Sequence, residues 1–500
     1  MTVRRIPFWA GAAWLAIGVS ACAGGARRVQ QPLSEFQLAM ARERAGLAQL
    51  STDEPQTTNT QPNERPGRGT TEPRPNFVLP VFEIVGMDAL INAAGRRGPE
   101  ADAYRVNGSS IQSNIEGSWI VDNDPFAVNQ MMHPYQGAMY HNIARSAGLN
   151  YWQSLGYTFA GSVMWELAGE TTTPALNDQL ASGIAGTFLG ESLFRMANLL
   201  VDRSHAHVGF GRGLLVFLAS PPTGANRVLF GKRFDGVMAT HDPAYDLRVQ
   251  MGARGTSQNT PGPSLNLGQR EAIADLLVEY GLPGRAGYTY TRPFDYFRLD
   301  ATASSVDIIE KVTSHGVLAG RRYETGEGGG GVWGVYGIYD YLSPQFFRVS
   351  TTAVSGGTSF EKWLSGDWLM QVTLLGGVGY AAVQTINGTN DRDYHYGMTP
   401  QAVETLRLVI GRRVSFDVSG RQYFVTGVAG FDTPGTDTIL RAEVSAAVKV
   451  YGRNAVTVRY QTTQRTATFP GFGPQKQSIG TVSLAYTVLG PQRLGAVKRQ

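Results

Sequence analysis

Two glutamates lie four residues apart in the segment GSVMWELAGETTTPALND, which runs from residue 161 to residue 178. Glu166 and Glu170 would share one face of a helix, because residues four apart lie one turn above each other. The neighbouring residues are mostly apolar, so the pattern predicts carboxylates inside a protein interior. Such carboxylates need cationic or hydrogen-bonding partners, and they can act as general acids and bases.

The next segment, QLASGIAGTFLGESLFRMANLLVDR, repeats this design. Thr187, Glu191 and Arg195 recur every four residues on an otherwise apolar helix. We expect the two apolar helices to form a buried hairpin whose polar stripes face each other. Arg195 would then pair with Glu166 or Glu170, since a buried charge requires a partner.

Further polar residues extend this candidate site. His133 begins a helical segment that also contains Tyr140 and Arg145, and the pair Asn177-Asp178 precedes the second apolar helix. The candidate buried polar cluster therefore comprises His133, Tyr140, Arg145, Glu166, Glu170, Asn177, Asp178, Glu191 and Arg195.

The N-terminus has the composition of a bacterial export signal. Arg4 and Arg5 precede a short apolar stretch that ends at Val19-Ser20-Ala21-Cys22, which resembles a lipobox. Cys22 is the single cysteine of the chain, so it is the predicted lipidation site, and disulfides and cysteine-based metal sites are excluded. Cleavage by the ordinary signal peptidase is the alternative. Residues 23–76 are rich in Pro, Thr, Asn and Gln and predict a disordered tether.

Period-two alternation dominates the sequence from residue 245 onward. In LRAEVSAAVKVY, which starts at residue 440, Leu440, Val444 and Val448 alternate with polar residues such as Arg441 and Glu443. Such alternation predicts antiparallel strands with one apolar and one polar face. Strand lengths near the ~9–11 residues of a tilted membrane strand favour an outer-membrane barrel of about ten to twelve strands. A soluble sheet sandwich that packs its apolar faces together is the alternative.

The predicted fold class is therefore α+β, with a small N-terminal helical block and an antiparallel β-barrel of the outer-membrane type. The predicted domains are a signal peptide with lipobox at 1–22, a disordered tether at 23–76, a helical and mixed domain at 77–240, the barrel at 241–492 and a tail at 493–500.

Three roles are open for the candidate polar cluster. A histidine with paired carboxylates could run acid–base chemistry in an envelope enzyme, although no Gly-x-Ser-x-Gly motif accompanies them. A metal site of His133, Glu166, Glu170 and Glu191 is a second option, disfavoured because no Glu-x-x-His pair is present. The favoured hypothesis is a salt-bridged network that fixes the helices inside or beneath the barrel. It predicts no catalytic residue, no metal and no cofactor.

Linked short motifs in the helical region resemble those of the bacterial family catalogued as domain of unknown function 3943. The motifs are HPYQG, AR-x-x-G, WE-x-x-x-E, ND and GE-x-x-x-R, and the resemblance covers roughly residues 119–235. All nine residues of the candidate cluster fall on matching positions. Family members combine an export signal, this helical block and a β-rich remainder, so the resemblance implies an exported envelope protein. The family has no assigned activity, and the resemblance therefore implies none.

The leading functional hypothesis is an exported, outer-membrane-associated lipoprotein with a structural, transport-related or lipid-contacting role. It would lie in the outer membrane, anchored by lipid or embedded through the barrel, and face the periplasm. Outer-membrane lipid is the expected partner, and an envelope protein partner stays open. Nucleic acid is excluded because the basic residues are scattered and the formal net charge is only +4. The alternatives are an envelope lipid-modifying enzyme that uses the cluster and a soluble periplasmic binding lipoprotein.

Overall fold

The computed structural model describes most of the chain from residue 75 onward. The described ranges are 75–98, 100–202, 209–230, 243–258, 269–326, 329–344, 347–385, 390–427, 435–469, 472–492 and 494–495. The predicted signal peptide, Cys22 and the predicted tether as far as residue 74 lie outside the described residues.

Helices occupy the first part of the described chain. They are α1 (Leu79–Gly95), α2 (Gly108–Glu116), α3 (His133–Ser146), α4 (Tyr151–Ala168), α5 (Leu176–Asp178), α6 (Gly186–Asp202), α7 (Phe210–Ala219) and α8 (Pro221–Phe230). A 3₁₀ turn covers Ala101–Tyr104, and π-helical segments cover Val128–Met132 and Gln179–Ala185. Asn107 and Asn150 form capping boxes that begin α2 and α4. Among the described helices, none is both long and apolar enough to span a membrane.

The remaining described residues form a closed antiparallel barrel of twelve strands in which β1 pairs with β12. The strands are β1 (Tyr245–Gln258), β2 (Gln269–Tyr280), β3 (Phe297–Ser304), β4 (Lys311–Glu324), β5 (Gly330–Leu342), β6 (Val349–Trp363), β7 (Trp368–Gln384), β8 (Tyr394–Ile410), β9 (Val414–Gly427), β10 (Thr436–Tyr451), β11 (Asn454–Phe469) and β12 (Phe472–Leu489). The predicted fold class and strand number are confirmed.

The apolar faces of the strands point out of the barrel. On β10, Leu440, Val444 and Val448 are exposed, whereas Arg441 and Ser445 face inward and are buried. A soluble sandwich would cover such a wall with a second sheet, whereas the described residues leave these side chains of β10 exposed. The sandwich alternative is therefore wrong, and the alternation is that of an outer-membrane barrel.

Ion pairs between strands cross the lumen. Arg407 on β8 donates to Asp246 on β1 and to Glu279 on β2, at 3.0 and 3.2 Å, and it also pairs with Asp417 on β9. Elsewhere in the lumen, Arg459 on β11 pairs with Asp275 on β2 at 3.1 Å. Three cavities between such groups measure about 30, 20 and 30 Å³, which is room for one or two waters each.

Two irregular segments fill the barrel end at which β1 begins and β12 ends. Tyr288 and Tyr290, in the connection between β2 and β3, pack with inward-facing Val332 and Tyr336. In the C-terminal tail, Leu494 is fully buried, and the carbonyl oxygen of the next residue accepts a hydrogen bond of 3.0 Å from Gln371. Side chains of the barrel and its own tail therefore occupy the space in which we expected the helices.

The helical domain packs against the outer wall of the barrel. Tyr339 and Tyr341 on β5 flank Asp340, which faces the lumen and pairs with Arg421, so both tyrosines face outward. The Tyr339 hydroxyl donates to the Gln130 carbonyl at 2.7 Å, and the Tyr341 ring lies 5.9 Å from that of Phe126.

Contacts of α6 with the same wall confirm this arrangement. Phe188 lies over Gly337 so closely that a Cβ at Gly337 would come within 2.6 Å of its ring. Ser192 forms a hydrogen bond of 2.8 Å with Ser314 on β4. The expectation that the helices lie inside or beneath the barrel is wrong, because ion pairs cross the lumen and the outer wall offers aromatic rings and hydroxyls to the helices.

The outward face of β10 provides a test of the lipid-facing wall. Val444→Lys puts a charge at the middle of this face, and we expect it to destabilise the barrel in phospholipid vesicles by about 2–4 kcal/mol. Ser365→Lys, in the exposed turn between β6 and β7, is the matched control and should cost almost nothing. Denaturant titration of the vesicle-bound proteins gives both values, and equal stabilities would contradict a lipid-facing wall.

Candidate functional site

The structure divides the predicted polar cluster into separate groups. Arg145, Glu191 and Arg195 form one ion-pair group, whereas His133, Glu166 and Asp178 form another. Tyr140 belongs to neither group, since its hydroxyl donates to the Oδ1 atom of buried Asp88. Burial raises the pKa of Asp88 to about 7, and the hydrogen bond from Tyr140 opposes this shift.

Glu191 on α6 uses both of its carboxylate oxygens in ion pairs. Its Oε2 atom accepts from Arg145 Nε at 2.8 Å and lies 3.0 Å from His141 Nε2. Its Oε1 atom accepts from Arg195 Nε at 2.8 Å. Arg195 also donates to Asp295 at 2.9 Å, so this group connects α3 and α6 to the connection between β2 and β3. The predicted pairing of Arg195 with Glu166 or Glu170 is wrong.

The charges of the Glu191 group compensate one another in a fully buried position. Burial by itself would raise the pKa of Glu191, but Arg145, His141 and Arg195 outweigh it and hold the pKa well below its usual range. Burial lowers the pKa of His141, which favours the neutral imidazole. Because every charged atom of Glu191 already has a partner, this group is suited to hold elements together and leaves no carboxylate oxygen free for chemistry.

The second group brings together residues from three helices. His133 is the first residue of α3, Glu166 lies in the last turn of α4, and Asp178 ends α5. One ring nitrogen of His133 and one carboxylate oxygen of each acid all lie within 4.8 Å of one another. His133 Nε2 and Asp178 Oδ2 are 3.5 Å apart.

In the His133 group, the negative charge of the carboxylates is only partly compensated by neighbouring groups. Glu166 is 1% exposed; its Oε2 atom accepts from the Ala175 amide at 2.8 Å, but its Oε1 atom has no hydrogen-bond partner among the described residues. Burial and then Asp178 raise the pKa of Glu166 to about 8. Burial also raises the pKa of Asp178 well above its usual range, and it raises the pKa of the nearby Glu170. Burial therefore disfavours the charged form of these carboxyl groups.

Local backbone geometry positions the His133 group. One π-helical segment ends at Met132, directly before His133, and the other begins at Gln179, directly after Asp178. A Cβ at Gly137 would lie 1.9 Å from the Ser182 carbonyl oxygen, so α3 and the second π-helical segment approach closely only because residue 137 is glycine. Single-turn π-helical insertions in α-helices frequently occur at functional sites.

Amide side chains connect the His133 group to the barrel. Asn177 donates to Asp178 Oδ1 at 2.9 Å and to the hydroxyl of Tyr396, on the outer face of β8, at 3.0 Å. Asn129 donates to the hydroxyl of Tyr394 at 2.9 Å. The position of Asp178 is therefore tied to the outer wall of the barrel.

Three residues of these groups were absent from the predicted cluster. His141 lies four residues before Arg145, and this spacing alone would have placed both on one face of α3. The contacts of Asp295 with Arg195 and of Asn129 with Tyr394 carry no such signal, because these partners lie 100 and 265 positions away and meet only in the folded chain.

Comparison with known proteins gives one family match. Residues 118–222 match the model of a domain of unknown function, DUF3943, which confirms the resemblance over that range. No curated protein matches the chain.

Solved structures to which this chain is similar include a KdgM porin, with a TM-score of 0.20, 8% identity, and coverage of 47% of this chain and 98% of that one. A second is the COG4313 outer membrane channel from Pseudomonas putida F1, with a TM-score of 0.24 and 11% identity. The match covers 51% of this chain and 100% of that one. A third is an anion-selective porin from Comamonas acidovorans, with a TM-score of 0.20 and 8% identity. The match covers 50% of this chain and 100% of that one. The porin and channel activities named here are those of the matched proteins.

Substitution of Glu191 tests the ion-pair group. Glu191→Gln leaves two buried guanidinium groups without their shared carboxylate, and we expect a loss of about 3–5 kcal/mol in the stability of the helical domain. Limited proteolysis would show faster cleavage within the helices, while the barrel keeps its heat-modifiable gel mobility. Glu116→Gln, at an exposed position on α2, is the control and should stay within about 0.5 kcal/mol of the wild type. Equal cleavage rates for the two variants would contradict this role.

Proposed function

We propose that the protein is an outer-membrane component whose closed barrel holds the helical domain at the level of the lipid, and that its role is structural and lipid-contacting. The observation that carries this proposal is the packing of the helices on the outer wall of a barrel that is otherwise apolar on that face. A helical domain in this position replaces lipid against part of the wall. The barrel fold likewise supports an outer-membrane location.

The helices also expose apolar side chains of their own. On α7, Phe210 is 90% exposed, and Leu214, Leu215 and Leu218 are exposed as well. Residues near the start of α1, including Phe82, add to this surface. Extended apolar surface of this kind is rare on proteins that face only water, and it suits the boundary between lipid headgroups and acyl chains.

Contacts inside the lumen favour a closed barrel over an open pore. Ion pairs such as those of Arg407 bridge different strands across the interior, and the cavity beside them, about 30 Å³, has room for one or two waters. Passage of a solute would require these pairs to separate, which is costly for buried charges. A transport role would therefore need a large rearrangement of the lumen.

The alternative of an enzyme that uses one Glu/His/Arg cluster has little support. Both oxygens of Glu191 are bound by the arginines and His141, and His133 lies in the other group with Glu166 and Asp178. The His133 group does place a histidine beside two carboxylates, with one Glu166 oxygen lacking a hydrogen-bond partner, but no arginine joins it among the described residues, so a single Glu/His/Arg cluster is not formed.

Site-directed spin labelling tests the lipid contact of the helical domain. In a Cys22→Ser background, which removes the only thiol, Leu215→Cys would carry the label on α7. Val444→Cys on the barrel wall is the lipid reference, and Ser365→Cys in the exposed turn is the water reference. We expect the label at position 215 to be relaxed by oxygen more than by a nickel chelate, as at position 444. Relaxation like that at position 365 would contradict the proposal.

Acylation of Cys22 is a further part of the proposal, and it would anchor the chain with the tether facing the periplasm. It rests on the lipobox-like run before Cys22. Mass spectrometry of the mature N-terminus from the native host would show a diacylglycerol-modified cysteine. A free N-terminus at another residue would contradict acylation and leave the barrel proposal intact.

A further inference from the structure

We infer that His133, Glu166 and Asp178 bind a divalent transition-metal ion that accepts both nitrogen and oxygen ligands, such as Zn²⁺ or Mn²⁺. Imidazole suits zinc and its neighbours in the first transition row, while carboxylates suit harder ions such as manganese. The inference concerns the helical domain alone and does not depend on its contact with lipid.

The geometry needs little adjustment to hold such an ion. One ligand atom from each residue lies within 4.8 Å of the other two, and the His133–Asp178 pair is already at 3.5 Å. With metal–ligand bonds of about 2.0–2.2 Å, neighbouring ligand atoms of a tetrahedral or octahedral site lie roughly 3.0–3.5 Å apart. Small rotations of the carboxylates would therefore complete three coordination positions.

The oxygen of Glu166 that lacks a hydrogen-bond partner independently points to a cation as its partner. Its Oε1 atom is buried and has no hydrogen-bond partner among the described residues, although a second carboxylate, Asp178, is close by. Burying two carboxylates together is unfavourable unless a positive charge compensates them. In the same domain, Glu191 receives that compensation from two arginines, and no such arginine contacts Glu166 among the described residues.

Neighbouring groups hold the three ligands in orientations suited to a metal. Asn177 donates to Asp178 Oδ1 at 2.9 Å, and the Ala175 amide donates to Glu166 Oε2 at 2.8 Å. The Ser182 hydroxyl oxygen lies 3.4 Å from His133 Nδ1, whereas the other ring nitrogen, Nε2, faces Asp178. Metal-binding residues commonly have such outer partners, which fix the tautomer and the direction of each ligand.

A bound ion would link α3, α4 and α5 at one point, and Asn177 would connect that point to Tyr396 on the barrel. The ligand set differs from the one that sequence spacing suggested, because Asp178 takes the place of Glu170 and Glu191. Further coordination positions would be open to water or to a small ligand.

Direct metal titration tests the inference. Full-length protein in detergent is treated with EDTA, the chelator is removed, and ZnCl₂ or MnCl₂ is titrated by isothermal calorimetry. We expect about one equivalent per chain, and we expect Glu166→Gln and Asp178→Asn to weaken binding at least 10-fold. Asp88→Asn is the matched control, because it replaces a buried carboxylate of the same domain outside the site and should bind like the wild type.

Several results would overturn the inference. These are a wild-type protein that binds less than one tenth of an equivalent, variants at Glu166 and Asp178 that bind as tightly as Asp88→Asn, or binding of Ca²⁺ and Mg²⁺ but not of Zn²⁺ or Mn²⁺. Heat-modifiable mobility and circular dichroism establish that each variant is folded. The wild-type titration decides the question even if a variant fails to fold, and pulsed electron paramagnetic resonance of bound Mn²⁺ should show a histidine nitrogen that His133→Ala removes.

Discussion

Arg407 lies in the barrel lumen and contacts acidic groups from three other strands. Asp246, Glu279 and Asp417 surround it, so the charge of each group is compensated without help from another domain. The same is true of the pair formed by Arg459 and Asp275. The ion pairs that cross the lumen, and the irregular segments at one end of the barrel, occupy space that a helical pair inside the barrel would need. The apolar residues of the helices are buried against the outer wall instead, although some lumen atoms, such as Glu361 Oε1, have no hydrogen-bond partner among the described residues.

The outer wall receives the helices through side chains that are partly apolar and partly polar. Tyr339, Tyr394 and Tyr396 present rings to the helices, and their hydroxyls bond to backbone or amide groups there. A tyrosine can bury its ring and still satisfy its hydroxyl, which makes it suited to an interface between a sheet and a polar helix face. These tyrosines near the strand ends therefore attach the helical domain to the barrel.

Within the helical domain, two buried glutamates differ in how well neighbouring groups compensate their negative charge. Glu191 is held by two guanidinium groups, whereas Glu166 retains an oxygen without a partner. Spacing along the chain makes these residues look alike, since each lies in a stripe of polar residues four apart. The difference arises from what the fold brings to each stripe: Arg145 and Asp295 complete one network, and His133 with Asp178 leaves the other acidic.

Alternation of residue types on single strands, as on β10, was enough to predict the barrel, its approximate strand number and the outward direction of its apolar face. The motifs around His133 and Glu191 were likewise enough to identify the family resemblance. These properties depend on local periodicity and short motifs, which are written directly in the sequence. The location of the helices on the outer wall, the pairing of Arg195 with Asp295 and the division of the polar cluster were decided only by the tertiary structure. The location of the helices depends on contacts between residues more than a hundred positions apart, such as Asn177 with Tyr396. The cluster divides through shorter separations, such as Arg145 with Glu191, but no local pattern records which of several buried charges will meet.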